Sequence, residues 1–335
     1  MSESGERPLG PLTPARPSVS VCIPTYNCGH LIGAAIRSVL GQEDPGLELL
    51  VVDNASTDHT EEIVAQMRDA RIRYVRHPAN LGFARNLQRA LELSTGTFLQ
   101  FLCADDYLYP AYLQRTTAWL ASHPEAVLVH TGHDLVDAEG TVVERRSYPW
   151  PELLSGREFA TQLVAHQMAG ICLSSALLRR EPLLRAGGID PALELSADYG
   201  MWLALSVQGA VGYLPEPLVA YRVHTGQATN LFVPGRTLRL VETFLAAFRA
   251  RGWPSQALEA AVLRPAVAAA ARELPRARIE GASLAAVLRA AARLVAAHHR
   301  PVEVLRTGTY AAVALLPHSW LRRVRRLHHT RRRAR

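Results

Sequence analysis

The stretch Phe98-Leu-Gln-Phe-Leu-Cys-Ala-Asp-Asp-Tyr-Leu-Tyr-Pro110 decides how the rest of the chain is read. Its first half, Phe98 to Leu102, is apolar and aromatic and follows the turn signal Thr95-Gly96-Thr97, which predicts a short buried strand. Its second half sets Asp105 and Asp106 side by side where that strand gives way to a loop. In an open α/β sheet, this rim is where ligands bind. Adjacent carboxylates repel, and a divalent cation that also bridges to a diphosphate removes the repulsion. A cation site is one reading of the pair. A polar turn ahead of a helix at Pro110 is the other.

Upstream, the same alternation repeats. Ser18 to Pro24 reads as a strand, Thr25-Tyr26-Asn27 as a turn, and Gly29 to Gln42 as an amphipathic helix with Leu31, Ile32, Ala35, Ile36 and Val39 on one stripe. Glu48 to Val52 is a second strand entering Asp53-Asn54-Ala55-Ser56, and Ser56 or Thr57 is the expected cap of the next helix. Ile72 to Arg76 is a third strand, His77 to Gly82 a loop, and Phe83 to Ser94 a third helix. This β-α-β-α-β-α-β order predicts a mostly parallel sheet with flanking helices, an α/β, Rossmann-like fold. No Gly-x-Gly-x-x-Gly follows the first strand, which excludes an ordinary dinucleotide-dependent dehydrogenase.

Downstream, a helix is expected to Ser122, strands at Ala126–Val136 and Thr141–Tyr148, and a helix over Ser155–Met168. Ile171–Leu178 reads as strand-like, Glu181–Ala186 as a short helix, and Ala197–Gln208 as a helix capped by Ser196. Val211–Leu214 and Leu218–Val223 close the pattern. From 234 to 317 the chain turns rich in Ala, Leu and Arg with helical period, a C-terminal helical region.

The chain has 335 residues, 48% hydrophobic and 20% charged, the composition of a globular protein with one large domain or two ordinary ones. Net charge is +7, but eight arginines and no acid lie in the tail 318–335, so the remainder stands at −1. Residues 1–17 read as a disordered leader rather than a signal peptide. No apolar run reaches the ~20 residues of a membrane span. The four cysteines show no zinc spacing, and Cys22 and Cys103 read as buried small hydrophobes, which points to a reduced, cytoplasmic setting. His130, His133 and His166 show no metal spacing and read as surface or satisfied histidines.

Residues 18–27, 48–60, 80–90 and 95–110, in that order and spacing and followed by a block around Asp198, resemble the family 2 glycosyltransferases of GT-A fold. The resemblance covers residues 18 to about 230. It implies a GT-A domain over 18–233, with a nucleotide-sugar-binding half (18–110) and an acceptor-binding half (111–233). By the same resemblance, Pro24, Thr25 and Tyr26 line the base and ribose pocket and Asp53 accepts a hydrogen bond from the base. Asn80, Gly82 and Arg85 lie along the nucleotide-sugar. Asp105 and Asp106 match the family's metal motif, with Asp106 the expected direct ligand and Mg²⁺ or Mn²⁺ the expected ion. Asp198 matches the catalytic base, and Arg222 and His224 the segment that closes on the diphosphate. Two departures stand out: Cys103 replaces the first acid of Asp-Ala-Asp-Asp, and Ala197 replaces the Glu before the base.

The chemistry those roles imply is inverting, metal-dependent transfer of a sugar from a nucleotide diphosphate to a hydroxyl of a glycan, lipid-linked or small-molecule acceptor, in cell-surface polysaccharide or glycoconjugate biosynthesis. Simpler readings stand beside it. Asp198 also suits a helix N-terminus, Asp53 an Asx-turn, Trp202 the core, and Arg222 and His224 a solvated strand end. An inactive nucleotide-sugar-binding protein, or a sugar nucleotidyltransferase, are the competing functions. In the tail, Leu321, Val324 and Leu327 recur between arginines, which suits peripheral contact with an anionic membrane as well as it suits a solvated end. Nucleic acid is not an expected partner, because no motif or aromatic context supports one.

Overall fold

The computed structural model describes residues 18–43, 46–165 and 170–227. The expected leader, the helical region from 234, the basic tail and His166 lie outside those residues.

The opening alternation is present: β1 (Val19–Thr25), α1 (Gly29–Leu40), β2 (Leu47–Asp53), α2 (Thr60–Gln66), β3 (Ile72–Arg76), α3 (Phe83–Leu93) and β4 (Phe98–Phe101). These four strands are parallel. Every residue of β1 is buried, because helices cover both faces of the sheet. Successive side chains serve opposite layers. Val19, Val21 and Ile23 pack with Ile32, Ile36 and Val39 of α1, whereas Cys22, Leu50 and Val52 pack with Leu87 and Leu91 of α3. Burying each Leu, Ile or Val contributes about 1.5–3 kcal/mol, which outweighs the weak strand preference of Leu49 and Leu50.

Beyond β4 come β5 (Tyr107–Leu108), α4 (Tyr112–Ser122), β6 (Ala126–Val136), β7 (Val142–Arg146), β8 (Leu153–Leu154), α5 (Gly156–Ala165), β9 (Ala176–Arg179), α6 (Arg180–Arg185), α7 (Ala197–Ser206) and β10 (Ala210–Arg222). One sheet runs β3-β2-β1-β4-β9-β6-β10-β5, with β7 on β6 and β8 on β10. β6 and β10 are parallel to each other, and β9 runs antiparallel between β4 and β6. The sheet is therefore mixed on its second half and parallel on its first, a mixed α/β architecture with a mostly parallel centre.

Several local expectations change. Val211–Leu214 and Leu218–Val223 are one strand, bent by a register shift between Leu214 and Pro217. Ile171–Leu178 is not one strand: a 3₁₀ turn over Leu173–Ser175 precedes β9. Neither Ser56 nor Thr57 caps α2: His59 holds the N-cap position without a side-chain cap bond. Asp58, just before it, accepts from the Thr60 amide (3.1 Å) and hydroxyl (2.5 Å), while its other oxygen accepts from Gly29 N of α1 (2.9 Å). Ser196 holds the N-cap position of α7 without a side-chain cap bond. No helix among the described residues is long and apolar enough to cross a membrane.

Candidate active site

Register gathers the site. Thr25 pairs with Asp53, and Cys22 with Phe101, so β1, β2 and β4 end on one rim. The loop after β4 leaves from that rim, turning where Asp106 N donates to Cys103 O at 3.1 Å.

Asp106 is 1% exposed and both its oxygens are engaged: Oδ2 accepts from Ser174 Oγ at 2.5 Å and Oδ1 from Arg222 N at 2.9 Å. Burial, and then the Asp105 charge, pushes its carboxyl well above the usual range. Asp105 keeps its carboxylate partly exposed, with Oδ2 3.0 Å from His224 Nε2. Asp106 is thus tied to the turn before β9 and to the end of β10, and Asp105 stands beside it next to His224.

Ser174 is a functional position that the sequence reading passed over. Its hydroxyl bonds Asp106 and accepts from Cys103 N at 3.0 Å, and its carbonyl accepts from Gln100 Nε2 at 2.7 Å. Gln100 is fully buried in β4, where Tyr112 donates to its side-chain oxygen. A lone Gln inside the apolar run Phe98–Leu102 was the available signal, since a buried amide must find partners.

Arg222 is not a solvated strand end. It is 5% exposed; its Nε donates to Asp105 O (2.9 Å) and its Nη1 to the carbonyls of Asp137 (3.0 Å) and Ala138 (2.6 Å). It clamps the acidic loop to the end of β10, leaving His224 as the member of that segment beside Asp105.

On the other side of the rim, Asp53 is fully buried. Its Oδ1 accepts from Ser56 N (2.9 Å) and Oγ (2.6 Å), the Asx-turn, and Oδ2 accepts from Tyr74 OH at 2.5 Å. Asn80 Oδ1 accepts from Asn54 Nδ2 (2.8 Å) and Gly82 N (2.9 Å) and so shapes its own loop. Gly82 has φ +85°, a conformation that favours glycine. Arg85 is exposed in the first turn of α3. Pro24 and Thr25 are buried, Thr25 Oγ1 lacks a partner, and the Tyr26 ring beside them is 48% exposed.

Asp198 sits half-buried in the first turn of α7, with Oδ1 accepting from Tyr199 N at 2.9 Å. Trp202, one turn on, is fully buried in the core and is not a sugar platform. Burial, and then the charge of Asp106, pushes the nearby Cys172 thiol up to about 12.

One sulfur or oxygen atom from each of Cys103, Asp105 and Asp106 lies within 4.8 Å of the others. Carboxylate oxygens with an adjoining imidazole suit a divalent cation. Cys103 is half-buried and borders this cluster rather than only filling the core as expected. His130 and His133 are buried, so neither is a surface histidine, and His133 Nδ1 lacks a hydrogen-bond partner.

The description "Glycosyl transferase family 2" matches residues 20–186, and the chain belongs to that family. Among its relatives is a chondroitin synthase of Pasteurella multocida, 28% identical over 218 residues. That match covers 64% of this chain and 21% of the synthase, so the chain spans about a fifth of that relative's length. Of solved structures, Staphylococcus aureus TarS 1–349 in complex with UDP-GlcNAc superposes with a TM-score of 0.59 at 18% identity, covering 84% of this chain and 81% of that one. At that identity the likeness is one of fold. The mannosyltransferase PcManGT of Pyrobaculum calidifontis, in complex with GDP-Man and Mn²⁺, superposes with a TM-score of 0.53 at 25% identity, covering 91% and 88%.

Proposed function

We propose that this chain transfers a sugar, with inversion, from a nucleotide-diphosphate sugar to a hydroxyl of a glycan, lipid-linked or small-molecule acceptor in polysaccharide or glycoconjugate synthesis. The observation that carries the reading is the cluster of Cys103, Asp105 and Asp106 on the rim where β1, β2 and β4 end. Family membership and relatives named for polymer synthesis support the reaction class.

Pro24, Thr25, Tyr26 and Asp53 form the nucleotide end, where the exposed Tyr26 is offered to the ligand. Asn80, Gly82 and Arg85 border it. Asp105 and Asp106, with His224 beside them, would hold Mg²⁺ or Mn²⁺, which would supply Lewis-acid stabilisation of the departing diphosphate. Ser174 and Arg222 fix this loop in place. Asp198 accepts the proton of the acceptor hydroxyl as that oxygen attacks the anomeric carbon. The acceptor lies against residues of the 111–233 half.

The test is a transfer and hydrolysis assay with UDP- and GDP-sugars, with and without Mn²⁺, on wild type and Asp198→Asn. Removal of a general base lowers kcat by about 10²–10⁴-fold. Equal activity of the two proteins sinks the assignment of Asp198. A wild type that neither turns over nor binds any donor in a thermal-shift screen sinks the transferase reading.

A further inference from the structure

Gln100 interrupts an apolar face of β4. Phe98 and Leu102, two positions to either side of it, pack into the layer that holds Tyr112 and Leu113 of α4. Gln100, Tyr112 and Ser174 are all fully buried. The Tyr112 hydroxyl donates to the Gln100 side-chain oxygen, and Gln100 Nε2 donates to Ser174 O at 2.7 Å and to Phe101 O at 3.1 Å. Leucine would serve that layer as well, because the net stability gained from the bonds of a buried amide is small. What the amide adds is direction. The ladder between β4 and β9 stops at Gln100 and Leu177, just after the 3₁₀ turn Leu173–Ser175. The Gln100 amide reaches past the end of that ladder and fixes the turn. Ser174 in the turn accepts from Cys103 N at 3.0 Å and donates to Asp106 Oδ2 at 2.5 Å.

We propose that Gln100 is a positioning residue of the cation site: held by Tyr112, it sets through Ser174 where the Asp105–Asp106 loop stands, and with it the affinity of that loop for a divalent cation. The inference rests on the metal reading of Asp105 and Asp106 given above. Three bonds in series, Tyr112 to Gln100, Gln100 to Ser174 and Ser174 to Asp106, run from α4 to the rim. Every member is buried, so a turn that shifts out of place is not repaired by solvent. Groups that orient metal ligands from behind are worth about 10–100-fold in metal affinity when they are removed.

The test is a Mn²⁺ titration of the full-length chain by calorimetry, with UDP and again with GDP, at a temperature where circular dichroism shows each variant folded. Gln100→Leu weakens Mn²⁺ binding about 10–100-fold, and Tyr112→Phe, which releases the Gln100 oxygen but keeps the ring, weakens it by less. Ser174→Ala weakens it as well. The double variant Gln100→Leu/Ser174→Ala binds no more weakly than the worse of the two singles, because the residues act along one path. Gln42→Leu controls for lost stability. The buried Gln42 amide donates to Tyr109 O (3.0 Å) and its oxygen accepts from Leu113 N (3.0 Å), outside the series, so that variant keeps wild-type Mn²⁺ affinity. If Gln100→Leu does not fold, Tyr112→Phe decides alone. Wild-type affinity in the folded Gln100 and Tyr112 variants overturns the proposal and leaves the metal reading standing. Losses that add in the double variant, or an equal loss in Gln42→Leu, do the same. A wild type that binds no Mn²⁺ with either nucleotide overturns the metal reading and the proposal together.

Discussion

Ser174 Oγ donates to Asp106 Oδ2 at 2.5 Å, across 68 residues of chain. That bond ties the turn before β9 to the loop after β4, and it reaches a carboxylate that is almost wholly buried. Ser174→Ala leaves the oxygen without its donor, and an unsatisfied buried acceptor costs about 1–3 kcal/mol. Urea denaturation of the variant should show a loss in that range, with a drop in transfer rate as the Asp105 loop loosens. A midpoint equal to wild type would show that the bond does not hold the loop.

Arg222→Lys keeps the charge and loses the fork that reaches three carbonyls. One ammonium cannot satisfy the oxygens of Asp105, Asp137 and Ala138 together. The expected result is a destabilisation of about 1–3 kcal/mol, from orphaned buried groups, together with weaker metal affinity in calorimetry. Unchanged stability would return Arg222 to the role of a ligand-facing cation.

His130 and His133 should set an acid limit above that of the carboxylates. Burial holds His130 down to about 3; burial and the charge of Arg146 hold His133 down to about 4. Unfolded, each titrates near pH ~6.5. As the pH falls from there toward the folded values, the unfolded chain binds the extra protons, so stability is full above the window and lost on descending through it. The slope is about 1.4 kcal/mol per pH unit for each histidine. His130→Phe, set among Trp150, Phe159 and Tyr213, should flatten it. Urea midpoints that stay constant between pH ~7.5 and ~5 would contradict this.

Asp58 bonds the N-termini of α1 and α2 together. Burial works to raise its carboxyl, but the donors at Thr60 and Gly29 outweigh it and hold the group below the usual range. The contribution of a depressed carboxylate is present above its unfolded pKa and is lost as pH falls through the folded one. Asp58→Ala should cost about 1–3 kcal/mol at pH ~7, from the loss of its bonds to Gly29 and Thr60, and the gap to wild type should narrow below pH ~4. A gap that is constant with pH would assign the effect to packing rather than charge.

Much of the fold was legible in single residues. The apolar runs of β1, β2 and β4 announced strands buried on both faces, and the turn residues between them left few topologies. What failed was local and had one cause: competition between partners that sequence order does not rank. Ser56 and Thr57 both suit a helix cap, and each is drawn elsewhere: Ser56 donates to Asp53, and Thr57 to Asn27. Asp106 read as a cation ligand from its motif, but its burial and its bonds to Ser174 and the Arg222 amide come from far along the chain.

By itself, then, the order of amino acids determined the alternation of strands and helices, the rim on which the acids stand and the family to which they belong, since all three rest on short-range periodicity and short motifs. Tertiary structure alone decided that Ser174 and the Arg222 amide bond Asp106, that the Arg222 guanidinium reaches three carbonyls, and that Cys103 N finds the Ser174 hydroxyl. Those outcomes depend on contacts between segments about 70 to 120 residues apart, and no local pattern encodes which donor reaches a buried oxygen first.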